Sequence, residues 1–421
     1  MKTKEKLLIL GRSDGTKEAL DYAKETGLYT VLTDYLPPEE NTLKKTADEY
    51  WMTDVSDIDE LEERCRRENI SGIFAATSEF CLDAAKELCD RLNLPFYASD
   101  EGWACARDKL RFKKHCLECG VDTPRIWQVG GRLTEEILKQ IRYPVIVKPT
   151  DSCAQQGISV CENEAELLYG FEAALEASAS KTVMIEDYIV GEEVAPFYFF
   201  LNGEAILVEL DDLVYLPVNG RNNFVFVKNF SKFTPQYQEK IEPKMKKLFL
   251  RMGCRNGAAF LQGIRKEDRV YFLELGYRLD GIGAWKRNRM EGRYSSVELL
   301  VDFALGHQKK IGKEIYMKKD AVNRPGGTYL LWARPGKIAK IEGLKMVKGM
   351  ESVEVIVERF QVGDEIPQKV SMRQVAFCIC VIAEKVSDLK EKVARINEAL
   401  HIYDKEGKDM LHYLTDLESL E

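Results

Sequence analysis

The chain has 421 residues, of which 45% are hydrophobic and 31% are charged, and its net charge is −8. This composition is typical of a folded globular protein and excludes a disordered, fibrous or membrane-embedded chain. The acidic balance argues against a nucleic-acid partner. At roughly 150 residues per domain, the length indicates about three domains.

The termini and cysteines indicate the compartment. The start "MKTKEKLLILGR" is basic, but its apolar run is too short for a signal-peptide core. The apolar stretch "VAFCICVIA", residues 375–383, is shorter than the roughly 20 residues that span a bilayer. Eleven cysteines in such a chain predict reduced thiols, and the pair Cys116 and Cys119 lacks a second pair to complete a zinc site. We therefore expect a cytoplasmic protein with no membrane partner.

Strand and helix patterns alternate along residues 1–100. The strands are "KLLILG", "YTVLTD" and "ISGIFAAT", and amphipathic helices lie between them. This alternation predicts a parallel sheet covered by helices, which is a Rossmann-like domain. Asp34 ends the second strand as the ribose-binding acid of a dinucleotide site does. The first turn, "GRSDGT", lacks the G-x-G-x-x-G spacing, however, so an ordinary βα turn is favoured over an NAD site.

The pattern of predicted strands and helices changes after residue 100. A helix, "ARDKLRFKKHCLEC", leads into long strands joined by turns such as Asn202-Gly203, which is a strong hairpin signal. These features predict an α+β domain over residues 101–306. Further strands and a helix from about Ser387 then predict a small α+β domain over residues 307–421.

One strand holds charges where a core face is expected. In "VYFLELGYRLDG", residues 270–281, one face is apolar. Strict alternation gives the other face Phe272, Glu274, Gly276, Arg278 and Asp280. A carboxylate at the centre of this face indicates either a solvated surface or a bound ligand, because an unpaired buried charge costs several kcal/mol.

The preceding stretch favours the ligand. "GAAFLQGI", residues 257–264, and the charged turn "RKEDR" predict a hairpin with the quoted strand. If its turn is centred near Asp268, Gln262 lies opposite Glu274. Two oxygen-bearing side chains with Arg278 beyond them would suit a hard cation and the phosphates that it carries.

Two earlier stretches offer further binding groups. In "YPVIVKPTDSCAQQGISV", Lys148 ends a strand beside a small polar loop, which suits a phosphate clamp. In "KTVMIEDYIVGEEVAPFYFF", a strand ends at Glu186, the chain turns at Gly191, and a second strand starts after Glu193. A hinge of this shape can bind a flat heterocycle and ribose hydroxyls, although an ordinary strand-loop-strand with solvated acids explains this second stretch by itself.

In this order, the stretches resemble the ATP-grasp superfamily. The resemblance covers nearly the whole chain: the N-terminal domain, the "RDK" helix, "VIVKP", the loop, "EDYIVGEE", and "FLQGI" with "FLELGYR". The arrangement is similar to that of biotin carboxylase, carbamoyl-phosphate synthetase and, most of all, the bacterial L-amino-acid ligases. It implies a Rossmann-like pre-ATP-grasp domain (1–100), an ATP-grasp domain (101–306) and a C-terminal α+β domain (307–421).

The resemblance also implies a role for each candidate residue. Lys109 and Lys148 would bind the ATP phosphates, and Ser152 to Gly157 would form a phosphate lid. The backbone of Glu186 and Ile189 would contact adenine, and Glu193 would bind the ribose. Gln262 and Glu274 would hold Mg²⁺ (or Mn²⁺), and Arg278 would contact the transferred phosphoryl group or the substrate carboxylate.

Three positions depart from the pattern of the family. The metal strand usually reads E-x-N-x-R, but Gly276 stands in the place of the asparagine, which removes one metal contact. The lid "DSCAQQG" holds one glycine where the family is rich in glycine. Gln262 replaces the commoner acid, as it does in carbamoyl-phosphate synthetase. These departures leave room for weakened or lost catalysis.

The resemblance implies an ATP-dependent ligase. Such an enzyme uses ATP to convert a carboxylate, here an amino acid or a similar small acid, into an acyl phosphate that an amine displaces. The alternatives are a carboxylating or carbamoyl-phosphate-type enzyme, and a nucleotide-binding homologue without activity. The implied partners are small carboxylates and amines, and a homodimer is common among such relatives.

Overall fold

The computed structural model describes residues 4–150, 157–307 and 324–421. The first part of the chain alternates strands and helices, as the sequence predicts. Its elements are β1 (Lys6–Leu10), α1 (Thr16–Glu25), β2 (Tyr29–Thr33), β3 (Glu49–Trp51), α2 (Ile58–Glu68), β4 (Gly72–Phe74), α3 (Glu79–Leu92), α4 (Asp100–Arg107) and α5 (Lys109–Glu118). The strands pair in parallel in the order β3-β2-β1-β4, which confirms the Rossmann-like prediction.

Asp34, the acid that follows β2, contacts side chains of the loop that comes after it. Lys44 Nζ lies 2.8 Å from Asp34 Oδ1. Asn41 Nδ2 donates to Asp34 Oδ2 at 2.6 Å. Both carboxylate oxygens are therefore engaged, and Lys44 is itself buried. This arrangement supports the ordinary βα turn rather than a ribose contact.

A small antiparallel sheet follows. Its elements are β5 (Ile126–Gly130), α6 (Glu135–Gln140), β6 (Val145–Pro149), β7 (Ser159–Cys161), α7 (Glu164–Ala177) and β8 (Val183–Asp187). The strand order is β5-β8-β6-β7. Val145 and Val147 pack with α7 in an apolar core beneath the sheet, and Ile146 and Lys148 alternate with them towards the other side.

The rest of the chain forms the largest sheet and two separate two-stranded sheets. Its strands and the associated elements are β9 (Glu192–Leu201), β10 (Glu204–Val218), β11 (Arg221–Lys228), α8 (Thr234–Lys240), α9 (Glu242–Arg251), β12 (Gly257–Lys266), β13 (Arg269–Gly276), α10 (Ala284–Met290), α11 (Ser296–Ala304), β14 (Gly326–Ala333), β15 (Gly336–Lys337), β16 (Lys340–Glu342), α12 (Leu344–Lys348), β17 (Val353–Glu358), β18 (Glu365–Ile366), β19 (Val375–Ile382), α13 (Val386–Ala399), β20 (His401–Tyr403) and β21 (Leu411–His412). The main path runs β13-β12-β9-β10-β11-β14-β19-β17.

The two faces of this sheet differ. On β9, Tyr198 and Phe200 enter a large core together with Phe249 of α9. On the opposite face, Ala195 and Phe197 pack with a small apolar group beneath α10. The face of the sheet that carries Tyr198 and Phe200 is thus packed in the larger core, and the opposite face packs against a smaller apolar group.

The predicted fold class is confirmed: a Rossmann-like α/β part precedes mixed α+β parts. The domain boundaries near residues 100 and 306 remain a proposal. All ten cysteines within the described residues are buried and free of disulfides, as predicted for packed thiols. No helix in the described part of the chain is both long enough and apolar enough to cross a membrane.

Candidate active site

The predicted hairpin is present as β12 and β13. Gln262 pairs with Glu274, and Phe260 pairs with Gly276, so the cross-strand prediction is confirmed. The register shifts between Gln262 and Gly263, because Gly263 pairs with Phe272 and the ladder skips one residue of β13. The β-bulge places two acceptor side chains side by side near the middle of the hairpin.

Because of this bulge, the prediction that Phe272 shares one face of β13 with Glu274 is wrong. Strict alternation put Phe272 beside Glu274, but Phe272 is fully buried in the core with Leu275 and Tyr277. A bulge adds a residue to one strand and so reverses the alternation beyond it. Asp280 was also placed wrongly, because β13 ends at Gly276 and the chain then turns. Its carboxylate accepts hydrogen bonds from the backbone of the loop that follows.

Two acidic side chains from different strands lie at the hairpin, and one of them pairs with a lysine. Lys109, the first residue of α5, places Nζ 2.9 Å from Glu274 Oε2. Glu193 of β9 accepts a hydrogen bond from the hydroxyl of Tyr215. Burial raises the pKa of Glu193, the nearby charge of Glu274 raises it further, and the Tyr215 hydroxyl opposes both. The site therefore concentrates negative charge that attracts cations.

These groups fit a divalent cation. Gln262 and Glu274 supply an amide oxygen and a carboxylate, and Glu193 adds a second carboxylate nearby. Mg²⁺ and Mn²⁺ prefer oxygen ligands of this kind. The ammonium group of Lys109 already stands against Glu274, which shows that this position favours positive charge. The predicted metal pair thus lies together in the structure.

The position of the missing asparagine is filled by an aromatic ring. A Cβ atom built on Gly276 would lie 2.4 Å from ring atoms of Phe260. The guanidinium of Arg278 lies 5.0 Å from the centroid of the same ring, within the range of a cation–π contact. Gly276 is therefore required by Phe260, and Phe260 in turn supports Arg278.

Arg278 connects the hairpin to the Rossmann-like part. Its Nη1 donates to the carbonyl of Leu279 at 2.8 Å. Its Nη2 lies 3.3 Å from Glu79 Oε1 at the start of α3, and Glu79 also pairs with Arg107. Burial alone would raise the pKa of Glu79, but the two guanidinium groups outweigh it and hold the pKa below its usual value. Arg278 thus links the loop after β13 to the start of α3.

The lysine of the predicted phosphate clamp contacts the predicted adenine segment. Lys148 Nζ lies 2.6 Å from Glu186 Oε2. The pairing of β6 with β8 places Glu186 opposite Ile146, one step along the same face from Lys148. The other oxygen of Glu186 pairs with Lys113 of α5. Sequence reasoning assigned only backbone contacts to Glu186, so the role of its side chain was missed.

The remaining predicted contacts lie around this pair. Ser152 is outside the described residues. Gly157 has a φ of +68°, and a Cβ atom there would lie 2.7 Å from Ala177 and 2.9 Å from Pro149, so glycine is required. Ile189 is half-buried in the connection between β8 and β9.

A small cavity adjoins Arg278. It has a volume of about 10 Å³, enough for roughly one water molecule, and Asp280, Asn288 and Ser296 are among its lining residues. Asp280 is 3% exposed and has no ion-pair partner within residues 4–150, 157–307 and 324–421. Asn288 is 2% exposed, and its Oδ1 accepts no hydrogen bond in those ranges. The cavity is therefore lined by one acceptor without a donor, Asn288 Oδ1, and by a buried carboxylate that accepts hydrogen bonds from backbone amides.

The nearby buried arginine does not supply that donor. Arg287 of α10 is fully buried, and its Nη2 lies 2.8 Å from Asp211 Oδ2 and 3.1 Å from Glu209 Oε1. Its Nη1 donates to Thr328 Oγ1 at 2.7 Å. Arg287 is thus engaged by Asp211, Glu209 and Thr328, and none of its hydrogen bonds within the described residues goes to Asp280.

Three residues at the site were missed by sequence reasoning. Lys113 lies one helical turn after Lys109, a spacing that places both on one face of α5 and could have signalled it. Asp280 lies in the quoted "RLDG" stretch but was treated as part of a strand. Tyr215 had no usable signal, because its position follows a register shift in the pairing of β10 with β11.

Sequence comparisons show which known proteins the chain is similar to. The family model "D-ala D-ala ligase C-terminus" matches residues 121–199, which include Lys148, Glu186 and Glu193. The chain is 25% identical over 264 residues to the carbamoyl phosphate synthase large chain of Clostridium botulinum, covering 61% of this chain and 24% of that protein. It is 22% identical over 417 residues to dapdiamide A synthase of Enterobacter agglomerans, covering 94% of this chain and 96% of that one.

A solved structure has a similar fold over nearly the whole chain. The L-amino acid ligase from Bacillus licheniformis matches with a TM-score of 0.77 and 17% identity, covering 96% of this chain and 100% of that chain. At this identity the likeness concerns the fold. The chain spans only 24% of the length of the carbamoyl phosphate synthase large chain that it matches.

Proposed function

We propose that this chain is an ATP-dependent, ADP-forming ligase of the ATP-grasp superfamily, which joins a small carboxylate to an amine. The observation that carries the proposal is the pairing of Gln262 with Glu274, with Lys109 at 2.9 Å from Glu274. Oxygen ligands beside a lysine suit a metal–phosphate complex, and Arg278 lies at the end of the same strand.

The nucleotide would lie between the small sheet and the hairpin. In this proposal Lys109 and Lys148 bind the phosphates, and residues 152–157 form the lid. Glu186 and Ile189 contact adenine through their backbone, and Glu193 binds the ribose. Gln262 and Glu274 hold Mg²⁺, for which Mn²⁺ can substitute. Bound metal would supply charge neutralisation at the phosphates.

The reaction needs no protein nucleophile. A carboxylate oxygen attacks the γ-phosphorus of ATP, the bond to the ADP oxygen breaks, and an acyl phosphate forms. The amine then attacks the acyl carbon, phosphate leaves, and the amine nitrogen loses a proton to give an amide. Arg278 would offset the charge on the transferred phosphoryl group, since a guanidinium can bond two oxygens at once.

An amino acid is the carboxylate that best suits the cavity beside Arg278. Asn288 offers an acceptor without a donor, and Asp280 offers a buried carboxylate without an ion-pair partner within the described residues. An ammonium group has three donors, is about the size of a water molecule and carries the charge that Asp280 lacks. An α-amino acid with its carboxylate near Arg278 would place its ammonium group within reach of this cavity.

Asp280→Asn is expected to raise the KM for the amino acid by about 10- to 10²-fold, which is the weight of a charge-assisted hydrogen bond. Asparagine keeps an oxygen that can accept from Ile282 and Ala284, so the loop should be preserved. Steady-state ADP release checks this, with a carboxylate that lacks the amino group as the control substrate. An unchanged KM for the amino acid would rule out Asp280 as the ammonium partner.

The proposed function is tested by offering the purified protein MgATP with pooled amino acids and measuring ADP and phosphate, followed by mass spectrometry of the product. We expect release that depends on added carboxylate and amine. MgATP, unlike NAD, should also raise the melting temperature, because a ligand of the native state stabilises it by mass action. Equal shifts with both nucleotides, or none with MgATP, would remove the assignment of Lys148 and Glu193.

One observation favours a second candidate, a nucleotide-binding protein without activity. Phe260 fills the space of the usual asparagine ligand at Gly276. Tight MgATP binding without ADP release from any substrate pool would support this candidate. Release that depends on bicarbonate, in contrast, would indicate a carboxylating or carbamoyl-phosphate-type reaction. For the ligase we propose a cytoplasmic setting and a homodimer, the latter testable by light scattering.

A further inference from the structure

A buried lysine stands behind the proposed nucleotide site. The side chains of Lys113 and Glu186 are each 1% exposed and form an ion pair between α5 and β8. The second oxygen of Glu186 lies 2.6 Å from Nζ of Lys148, whose side chain is 12% exposed. We call Lys113, Glu186 and Lys148 the lysine–glutamate–lysine triad.

Burying the three charged groups of the triad has a desolvation cost. Transfer of charged groups from water to a protein interior costs several kcal/mol each, and a buried pair often fails to recover this cost. Burial alone would raise the pKa of Glu186, yet the adjacent ammonium groups of Lys113 and Lys148 outweigh burial and lower it. Glu186 is therefore ionised, and the triad carries one net positive charge.

The net charge depends on Lys113. Without this lysine, Glu186 would pair with Lys148 alone and the sum of charges would be zero. With Lys113 in place, one oxygen of Glu186 is neutralised from behind, and the partly exposed ammonium group of Lys148 retains an uncompensated charge. Lys148 has three donors, so those not directed at Glu186 can reach a ligand.

The position of Lys113 also ties the site together. Lys109 and Lys113 lie one turn apart on α5, and each contacts an acid of a different sheet. Lys109 contacts Glu274 of the hairpin, and Lys113 contacts Glu186 of the small sheet. One rigid helix thus holds both walls of the proposed nucleotide cleft.

We propose that Lys113 is a positioning residue for nucleotide binding, which neutralises Glu186 so that Lys148 keeps a net positive charge for the phosphates of ATP. This inference rests on the proposed function, in which Lys148 binds those phosphates. Lys113 itself touches neither nucleotide nor substrate and acts through Glu186.

The proposal has a pH signature. Burial, partly opposed by Glu186 and reinforced by Lys148, lowers the pKa of Lys113 to about 8. Besides these two groups, Cys116 of α5 faces Lys113, and burial raises the pKa of its thiol, which stays neutral. Bound phosphates favour protonated Lys113, so affinity is full below about pH 8 and declines as the pH rises through that value.

The experiment measures the affinity for a non-hydrolysable ATP analogue with Mg²⁺ from about pH 7 to about pH 9.5. The intact protein should lose affinity above about pH 8. Lys113→Met should bind about 10-fold more weakly at pH 7, as expected for one charge lost near the phosphates, and should show no such decline. Lys114→Met, an exposed neighbour on the same helix, is the matched control.

Lys113→Arg distinguishes charge from packing. Arginine stays protonated throughout this range, so this variant should retain affinity above pH 8 where the intact protein loses it. A flat profile for the intact protein, or a Lys113→Met variant that binds as Lys114→Met does, would overturn the inference. Absence of binding by the intact protein at every pH would instead refute the proposed function, so the two failures are distinguishable.

Discussion

Turnover is expected to fall by at least about 10²-fold when Glu274 is replaced by glutamine, because a metal ion at the phosphates contributes several kcal/mol to transition-state stabilisation. Glu274 is the charged member of the metal pair, and Phe260 occupies the place of the usual asparagine. The loss should be larger than that of Gln262→Ala, which removes a neutral ligand. Mg²⁺ titrations of ADP release in both variants provide the measurement.

A control for this prediction lies in the same hairpin. Glu267→Gln makes the same acid-to-amide change at the exposed turn, away from Lys109, and should leave turnover unchanged. If Gln262→Ala proves more damaging than Glu274→Gln, or if extra Mg²⁺ leaves the Glu274→Gln defect unaltered in a variant that melts normally, the metal assignment is wrong.

The sequence predicted the pairing of Gln262 with Glu274, but the turn by itself does not produce it. The pairs next to the turn run from Lys266 with Arg269 to Gly263 with Phe272, and the same register would put Gln262 opposite Leu273. The bulge shifts the register by one residue and carries no comparable signal in the sequence. It brings Gln262 opposite Glu274 and leaves Phe272 in the core, so the pairing was predicted correctly and one face was not.

The departure at Gly276 shows a second limit. The missing asparagine is visible in the sequence by comparison with the family pattern, but what replaces it is not. Phe260 lies 16 residues earlier and fills that space only because the hairpin pairs the two positions. In the sequence, Gly276 therefore indicates only a lost metal ligand. In the structure, the space beside Gly276 is filled by the ring of Phe260, which contacts Arg278.

Contacts between distant elements were the least predictable. Lys113 and Glu186 are 73 residues apart, and nothing local to either position specifies the other. The parallel sheet of β1 to β4, in contrast, followed from alternation and buried apolar runs that each stretch carries by itself. The candidate binding residues were thus predicted from the order of the family motifs, whereas the contact between Lys113 and Glu186 required the fold.

Arg278 is the residue where two interpretations differ most. It lies 3.3 Å from Glu79, and its side chain is 21% exposed, so a partly screened ion pair is one account of it. Such pairs contribute only about 0 to 1 kcal/mol. The other account is that the guanidinium, supported by the ring of Phe260, is aimed at the transferred phosphoryl group.

Arg278→Lys separates these accounts, because lysine keeps the charge near Glu79 but cannot bond two oxygens in a fixed fork. We expect turnover to fall by roughly 10²- to 10³-fold, the usual loss of a preorganised donor, with melting temperature and ATP affinity unchanged. Glu79→Gln, which removes the ion pair and leaves the guanidinium, is the matched control and should stay within a few-fold of the intact protein. If Arg278→Lys also stays within a few-fold while folding and binding ATP normally, Arg278 serves only the contact with α3, and the charge on the transferred group must be offset by other residues of the cleft.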